Sequence, residues 1–324
     1  MLDTNYAFAV AKIRYNELSL LTEQEFDQLV SADGVDQALR LLADKGWNVP
    51  ENGTDCSAML EEEADKAWTL LKEAAPDIKI FDTLILSNDF HNLKASIKCL
   101  ILNQSAEPYF ISPSVADPKK VDDDIRNKNF ENIPPFLRDA ARDAYEAAAT
   151  NSGSGMLVDL IVDRYCMEKR TEYARMTKSK LLYEISELKC FSADIKTALR
   201  SAAAGKDGKF MRRAMADNSI IEVGRIIEAA LKGRDEIVSL LETAGPSGAA
   251  DAVKEGNAAF EKWCDDAVTS KIGSARSSPF GAEPLIAYYL AKDTEIKNVR
   301  IIISAKQNGR PESVITERVR KAYA

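Results

Sequence analysis

The sequence predicts an all-α protein made of three similar helical-bundle units. Three observations carry that prediction. Apolar residues return at helical spacing along most of the 324 residues. Clusters of proline and glycine fall between these runs, at Pro134-Pro135, in NSGSG at 151–155 and at Gly245-Pro246. A nine-residue pattern opened by an acid occurs three times at nearly equal intervals.

Taken in order, Thr22-x-x-Glu25 is a capping box followed by Phe26 and Leu29 on one face. Asp33-Gly34-Val35-Asp36 starts a helix carrying Val35, Leu39 and Leu42. Residues 58–71 are rich in Ala, Leu and Glu, which lose little entropy in a helix. Residues 104–124 hold Pro108, Pro113 and Pro118 and then three aspartates, and read as a loop. The same reading applies to 151–155, 205–209, 245–248 and 273–284. Pro134-Pro135 opens FLRDAARDAYEAAA, and NSGSG closes it. Residues 156–191 contain neither proline nor glycine and read as one long, charged, amphipathic stretch. IIEVGRIIEAALKGRDEIVSLLETAG runs helically to its Gly-Pro stop. VRIIIS at 299–304 is β-branched and on propensity alone scores as a strand.

Internal comparison reassigns that segment. DFHNLKASI begins at Asp89, DIKTALRSA at Asp194 and EIKNVRIII at Glu295, so the intervals (194 − 89 and 295 − 194) are 105 and 101 residues. The third position after the acid is Asn92, Thr197 and Asn298, and the fifth is Lys94, Leu199 and Arg300. The first, fourth and eighth are apolar throughout: Phe90, Leu93, Ile97; Ile195, Ala198, Ala202; Ile296, Val299, Ile303. At about 100° per residue these form one stripe, which favours helix for VRIIIS. Ser87, Ser192 and Asp293 stand two residues before each acid and are good N-cap types, so each acid is expected in a first helical turn, facing the dipole. The second position holds His91, Lys196 and Lys297, opposite the stripe. The only histidine therefore reads as part of a solvated basic face, not as a metal or proton-transfer site. Trp68 and Tyr173 share the position 21 residues before their acids, whereas the third copy has an insertion there. The expected units are 1–107, 108–206 and 207–324.

With 45% hydrophobic and 29% charged residues, the composition is that of a globular protein. A net charge of −8 argues against a nucleic-acid footprint. The N-terminus lacks the features of a secretory signal, and no apolar run approaches the roughly 18 residues of a membrane span. Membrane association would therefore go through a partner or a surface patch. Cys56, Cys99, Cys166, Cys190 and Cys264 form no CxxC pair and read as reduced, structural residues of a cytosolic chain. Asn52-Gly53-Thr54 and Asn103-Gln104-Ser105 are then chance matches to a glycosylation pattern.

Catalytic and cofactor motifs fail on spacing. One histidine excludes HExxH and a histidine-rich metal cage. The Gly205–Lys209 turn lacks a phosphate loop's glycine spacing, its Ser/Thr and its preceding strand. NSGSG reads as a linker. Asp122-Asp123-Asp124 has the chemistry for Mg²⁺, but beside Lys119-Lys120 it reads as a solvated loop. Lys206, Lys209, Arg212 and Arg213 form the best basic cluster, either a docking patch or helix-end decoration. No catalytic, cofactor-binding or metal-ligating residue is expected. The residues alone leave an acidic, three-repeat, all-α scaffold.

Three stretches add a resemblance. YAFAVAKIRYNELSLLTEQEFDQL, NDFHNLKA at 88–95 and, most specifically, PFGAEPLIAYYLAKDTEIKNVRIIISAKQNGRPESVITERVRKAYA at 279–324 resemble the C subunit of the V/A-type rotary ATPases, whose eukaryotic counterpart is the d subunit. The last stretch carries that family's Gly-x-Glu-Pro (through Glu283), aromatic pair and Glu-x-Lys-Asn-x-Arg. The middle copy departs from the pattern at Thr197 and Leu199. The resemblance implies a pseudo-threefold funnel around a central hollow. It implies a place on the cytoplasmic face of the membrane proteolipid ring, where the funnel receives the foot of the central stalk, subunits D and F. It implies no reaction and no cofactor, only transmission of torque for ion transport. The repeat residues, Glu283 included, are then structural. Two other readings stand beside it: a cytosolic helical scaffold with other partners, and an all-α enzyme using Asp122–Asp124 or the repeat acids with Mg²⁺.

Overall fold

The computed structural model describes residues 4–50, 55–150 and 155–324. Asn52-Gly53-Thr54 and the first four residues of NSGSG lie outside the described residues. Among the described residues there are sixteen α-helices, a few 3-10 turns and no strand. In order they are α1 (Ala7–Glu17), α2 (Glu23–Ser31), α3 (Gly34–Asp44), α4 (Ser57–Ala74), α5 (Asp82–Ile101), α6 (Pro118–Arg126), α7 (Pro135–Thr150) and α8 (Gly155–Met176). There follow α9 (Lys180–Ala203), α10 (Gly208–Ala214), α11 (Val223–Lys232), α12 (Arg234–Ala244), α13 (Ala249–Glu255), α14 (Asn257–Ile272), α15 (Glu283–Gln307) and α16 (Glu312–Arg318). No helix among the described residues is long and apolar enough to cross a membrane.

The helices form two compact units. One joins residues 1–78 to residues 252–324; the other is Lys79–Asp251. In the first, α15 is the axis. Val299, Ile302 and Ile303 of α15 pack with Phe26 and Leu29 of α2, Leu39 and Leu42 of α3, Met59 and Leu60 of α4 and Ile315 of α16. The Thr22–Glu25 capping box forms as expected, with both reciprocal bonds made. VRIIIS lies wholly within α15: tertiary packing of a helical stripe outweighs β-propensity. Pro284 is tolerated in the first turn of α15, where no intrahelical N–H bond is required.

In the second unit, α5 to α8 bury Phe90, Leu93 and Ile97 against Ile125, Leu137, Ala144, Val158 and Val162. Helices α9 to α12 extend the unit. Here the structure corrects three expectations. Residues 156–191 are broken between α8 and α9 by a turn in which Lys178 takes φ +57°, and Ser179 then caps α9 through its hydroxyl. The stretch from Ile220 breaks at Gly233, whose φ of +118° is open to glycine but strained for L side chains. The aspartate run is helical, not loop: Asp117 caps α6, Pro118 is its first residue, Asp122 pairs with Arg126 at 2.8 Å and Asp124 is buried. All five cysteines are buried.

Candidate functional site

The apolar stripe of the three repeats is where periodicity placed it, with every member buried except the half-buried Ala202. The acids are not where capping logic placed them. Asp89, Asp194 and Glu295 lie deep inside α5, α9 and α15 and are 2%, 2% and 3% exposed. The expected caps are interior too; Ser192 donates its hydroxyl back to the Leu188 carbonyl at 2.7 Å. The acids therefore do not face a helix dipole. They face backbone.

In the first copy, the chain turns back after α5 and lies against it in non-helical conformation. Such a segment cannot satisfy its own N–H and C=O groups, and buried groups left unpaired are costly. α5 satisfies them. The Ala116 and Val115 N–H groups donate to the two Asp89 oxygens at 2.7 and 3.0 Å. Asn92 takes Ile111 at both ends: its Oδ1 accepts from the Ile111 N–H at 2.8 Å, and its Nδ2 donates to the Ile111 carbonyl at 3.0 Å. Asn88 adds a bond to the Pro113 carbonyl at 2.8 Å.

The third copy repeats the amide grip. Asn298 accepts from the Arg320 N–H at 2.8 Å and donates to the Arg320 carbonyl at 2.9 Å. Glu295 accepts the Leu21 N–H at 2.6 Å, holding the turn before α2. Its other oxygen accepts from Lys292 Nζ at 2.6 Å, and Lys292 also reaches Glu63 Oε2 of α4 at 2.5 Å, over the Trp47 ring. Lys292, Glu63 and Glu295 are all under 10% exposed. The repeat pattern singles out neither Lys292 nor Glu63.

The middle copy achieves the same end with the amide on the other side. Thr197, buried in α9, has no carboxamide to offer. The returning segment instead brings Asn218, whose Nδ2 donates to Asp194 at 2.9 Å and whose Oδ1 accepts from the Ile220 and Ile221 N–H groups. The Ala216 N–H donates to Asp194 at 3.1 Å, and Ser219 N–H to Glu187 of α9 at 2.5 Å. Glu187 stands two helical turns before Asp194, on the same face.

Burial pushes Asp89 up to about 6, against the pull of its two backbone donors. It pushes Asp194 up to about 7, opposed by Ala216 and Asn218. Burial also raises Glu295, with Lys292 opposing it. Burial draws Lys292 down, but the two carboxylates outweigh it, so Lys292 stays firmly protonated. Each acid is committed to a structural donor. The arrangement holds chain segments against three long helices.

The other residues of the repeat and the basic cluster are spread over both units. Lys94 pairs with Asp163 at 2.7 Å, Arg300 is exposed, and Glu283 accepts from Ser278 Oγ at 3.1 Å. His91 is half-buried, with Nε2 3.2 Å from the Tyr109 carbonyl; Lys196 is half-buried and Lys297 exposed. Lys206 lies over Phe210, Arg212 is 3.7 Å from Asp217, and Lys209 and Arg213 are exposed, so these four gather around α10. Among the described residues no group of three His, Cys, Asp or Glu side chains is placed to hold a metal ion.

Comparison with known proteins finds one family across most of the chain. The family model described as ATP synthase (C/AC39) subunit matches residues 9–318. The C subunit of the V-type sodium ATPase of Enterococcus hirae is 25% identical over 322 residues, covering 96% of this chain and 97% of that protein. The C subunit of the A-type ATP synthase of Thermococcus kodakarensis is 22% identical over 97% of this chain and 90% of its own. That of Methanocaldococcus jannaschii is 22% identical over 95% and 85%.

Proposed function

Because the chain belongs to the ATP synthase (C/AC39) subunit family, we propose that it is a non-catalytic rotor adaptor of a V/A-type rotary ATPase. In this reading it joins the central stalk, subunits D and F, to the membrane proteolipid ring on the cytoplasmic side. It transmits torque between them during ion transport coupled to ATP synthesis or hydrolysis. The three repeat units, 1–107, 108–206 and 207–324, are arranged as a pseudo-threefold funnel around a central hollow.

The observation that carries this reading is the buried clamp on α5, α9 and α15. A torque-bearing part must resist shear. Close-packed helices do so, and polar clamps that tie each connecting segment to its helix remove the weakest joints. Interfaces to the stalk and ring need to be specific, which charge and shape complementarity provide better than area alone. The Lys206, Lys209, Arg212 and Arg213 cluster around α10 is the proposed docking patch.

The test is a pull-down of the full chain with stalk subunits D and F and, separately, with the purified proteolipid ring. Retention by both is expected. A folded chain retained by neither, and found wholly soluble and independent of any ATPase on cell fractionation, would replace this reading with a cytosolic scaffold.

A further inference from the structure

Helix α1 is apolar on two opposite faces. Ala9, Val10 and Ile13 are buried within its unit. On the far side, Phe8, Ala11, Tyr15 and Leu18 are exposed, the three large ones at 73%, 77% and 83%. At about 100° per residue these four fall within an arc of about 80°, roughly opposite the buried face. Their spacing of three, four and three residues is that of alternating a and d positions over two heptads. Val314 is the only other large apolar side chain exposed among the described residues of this unit, so its apolar exposure is concentrated on this stripe.

Aromatic side chains bury roughly 150–250 Å² each, so the stripe offers roughly 400–500 Å², the size at which an exposed apolar patch marks an interaction face. That is short of the roughly 800 Å² per partner of a free-standing complex. A second copy of this chain is therefore a poor occupant. Lys12 and Arg14 flank the stripe but are already paired, with Glu73 at 2.8 Å and Glu17 at 2.7 Å, so its borders ask for no charge from a partner. A single helix of a partner that is held elsewhere too fits both the area and the spacing.

We propose that the Phe8–Ala11–Tyr15–Leu18 face of α1 is a helix-docking seam. It packs side by side against one amphipathic helix of another polypeptide, whose apolar residues repeat at the same heptad spacing. The crossing is the shallow, left-handed one that a 3.5-residue spacing favours. Phe8 and Tyr15 act as the knobs, and Ala11 between them lets the partner backbone approach.

The seam is independent of which complex the chain serves, and the experiment separates the two. A photo-crosslinking amino acid replaces Tyr15 in the full chain in its own cells, and adducts are mapped by mass spectrometry after irradiation. The expected result is adducts on one other polypeptide, at positions three, four or seven apart on a helix. Leu18→Glu should cut that yield at least tenfold without changing the melting temperature, since the side chain points outward. Adducts only to lipid or to a second copy, adducts scattered over several proteins, or no adduct would each overturn the seam. A helical adduct on a protein outside any rotary ATPase would uphold the seam and count against the rotor reading.

Discussion

Asn298 holds Arg320 at both ends, accepting its N–H at 2.8 Å and donating to its carbonyl at 2.9 Å, and Asn92 does the same to Ile111. The two asparagines occupy the same place in copies of one helical pattern. What repeats along this chain is a way of fastening a returning segment to a long buried helix.

The asparagines should be expensive to lose. Asn92→Ala or Asn298→Ala leaves a partly buried N–H and a partly buried carbonyl unpaired, at about 1–2 kcal/mol for each such group. Each variant should lose about 2–4 kcal/mol in urea unfolding, whereas Thr197→Ala should lose about 1 kcal/mol or less. Clearly unequal losses at Asn92 and Asn298 would refute the equivalence of the first and third clamps, and a loss at Thr197 as large as theirs would refute the middle copy's departure.

Lys292 sits between two buried carboxylates. Lys292→Met strands both and should cost about 3–5 kcal/mol. Adding Glu63→Gln and Glu295→Gln removes the stranded charge and should restore part of the stability. Thermal melts of the single and triple variants check this, and a triple variant no more stable than the single would contradict it.

The buried aspartates give stability a distinctive pH dependence. Asp89, at about 6, and Asp194, at about 7, are both raised above the ordinary aspartate value of 3.8, so the folded state binds more protons than the unfolded chain between these values. Their contribution is full below the unfolded value and is lost as pH rises through 6 and then 7. The midpoint of urea unfolding should fall between pH 5 and pH 8, and the Asp89→Asn, Asp194→Asn pair should flatten that slope. A slope unchanged in the pair would assign the dependence to other groups.

Lys178 holds φ +57° in the turn between α8 and α9, where glycine carries no steric cost. Lys178→Gly should leave stability unchanged or raise it by up to about 1 kcal/mol, whereas glycine inside either helix should lower it by a similar amount. Calorimetry of the full chain distinguishes these outcomes.

The helical stripe is legible in the sequence because its period survives any register: Phe90, Leu93 and Ile97, with their counterparts, need only counting. The helical state of VRIIIS follows from the same alignment. The clamps are not legible, because their partners lie far along the chain. Asp89 meets Val115 and Ala116, and Glu295 meets Leu21 at the other end. Side-chain periodicity carries no information about which distant backbone group needs a bond. A serine or aspartate before each acid points to a first helical turn. Yet such residues also sit mid-helix when the hydroxyl can bond back one turn, as Ser192 does. The α6 start is present in Asp117-Pro118, an N-cap followed by a first-turn proline, but the prolines before it mask the signal.

The most direct test of the rotor-adaptor account uses a bead attached to Lys180, whose side chain is 85% exposed, in a rotary ATPase fixed to glass through its catalytic head. On adding ATP, the account predicts that the bead turns, in the same steps and direction as a bead on the proteolipid ring. A bead that stays still while the ring turns would place this chain on the stationary side and contradict the account.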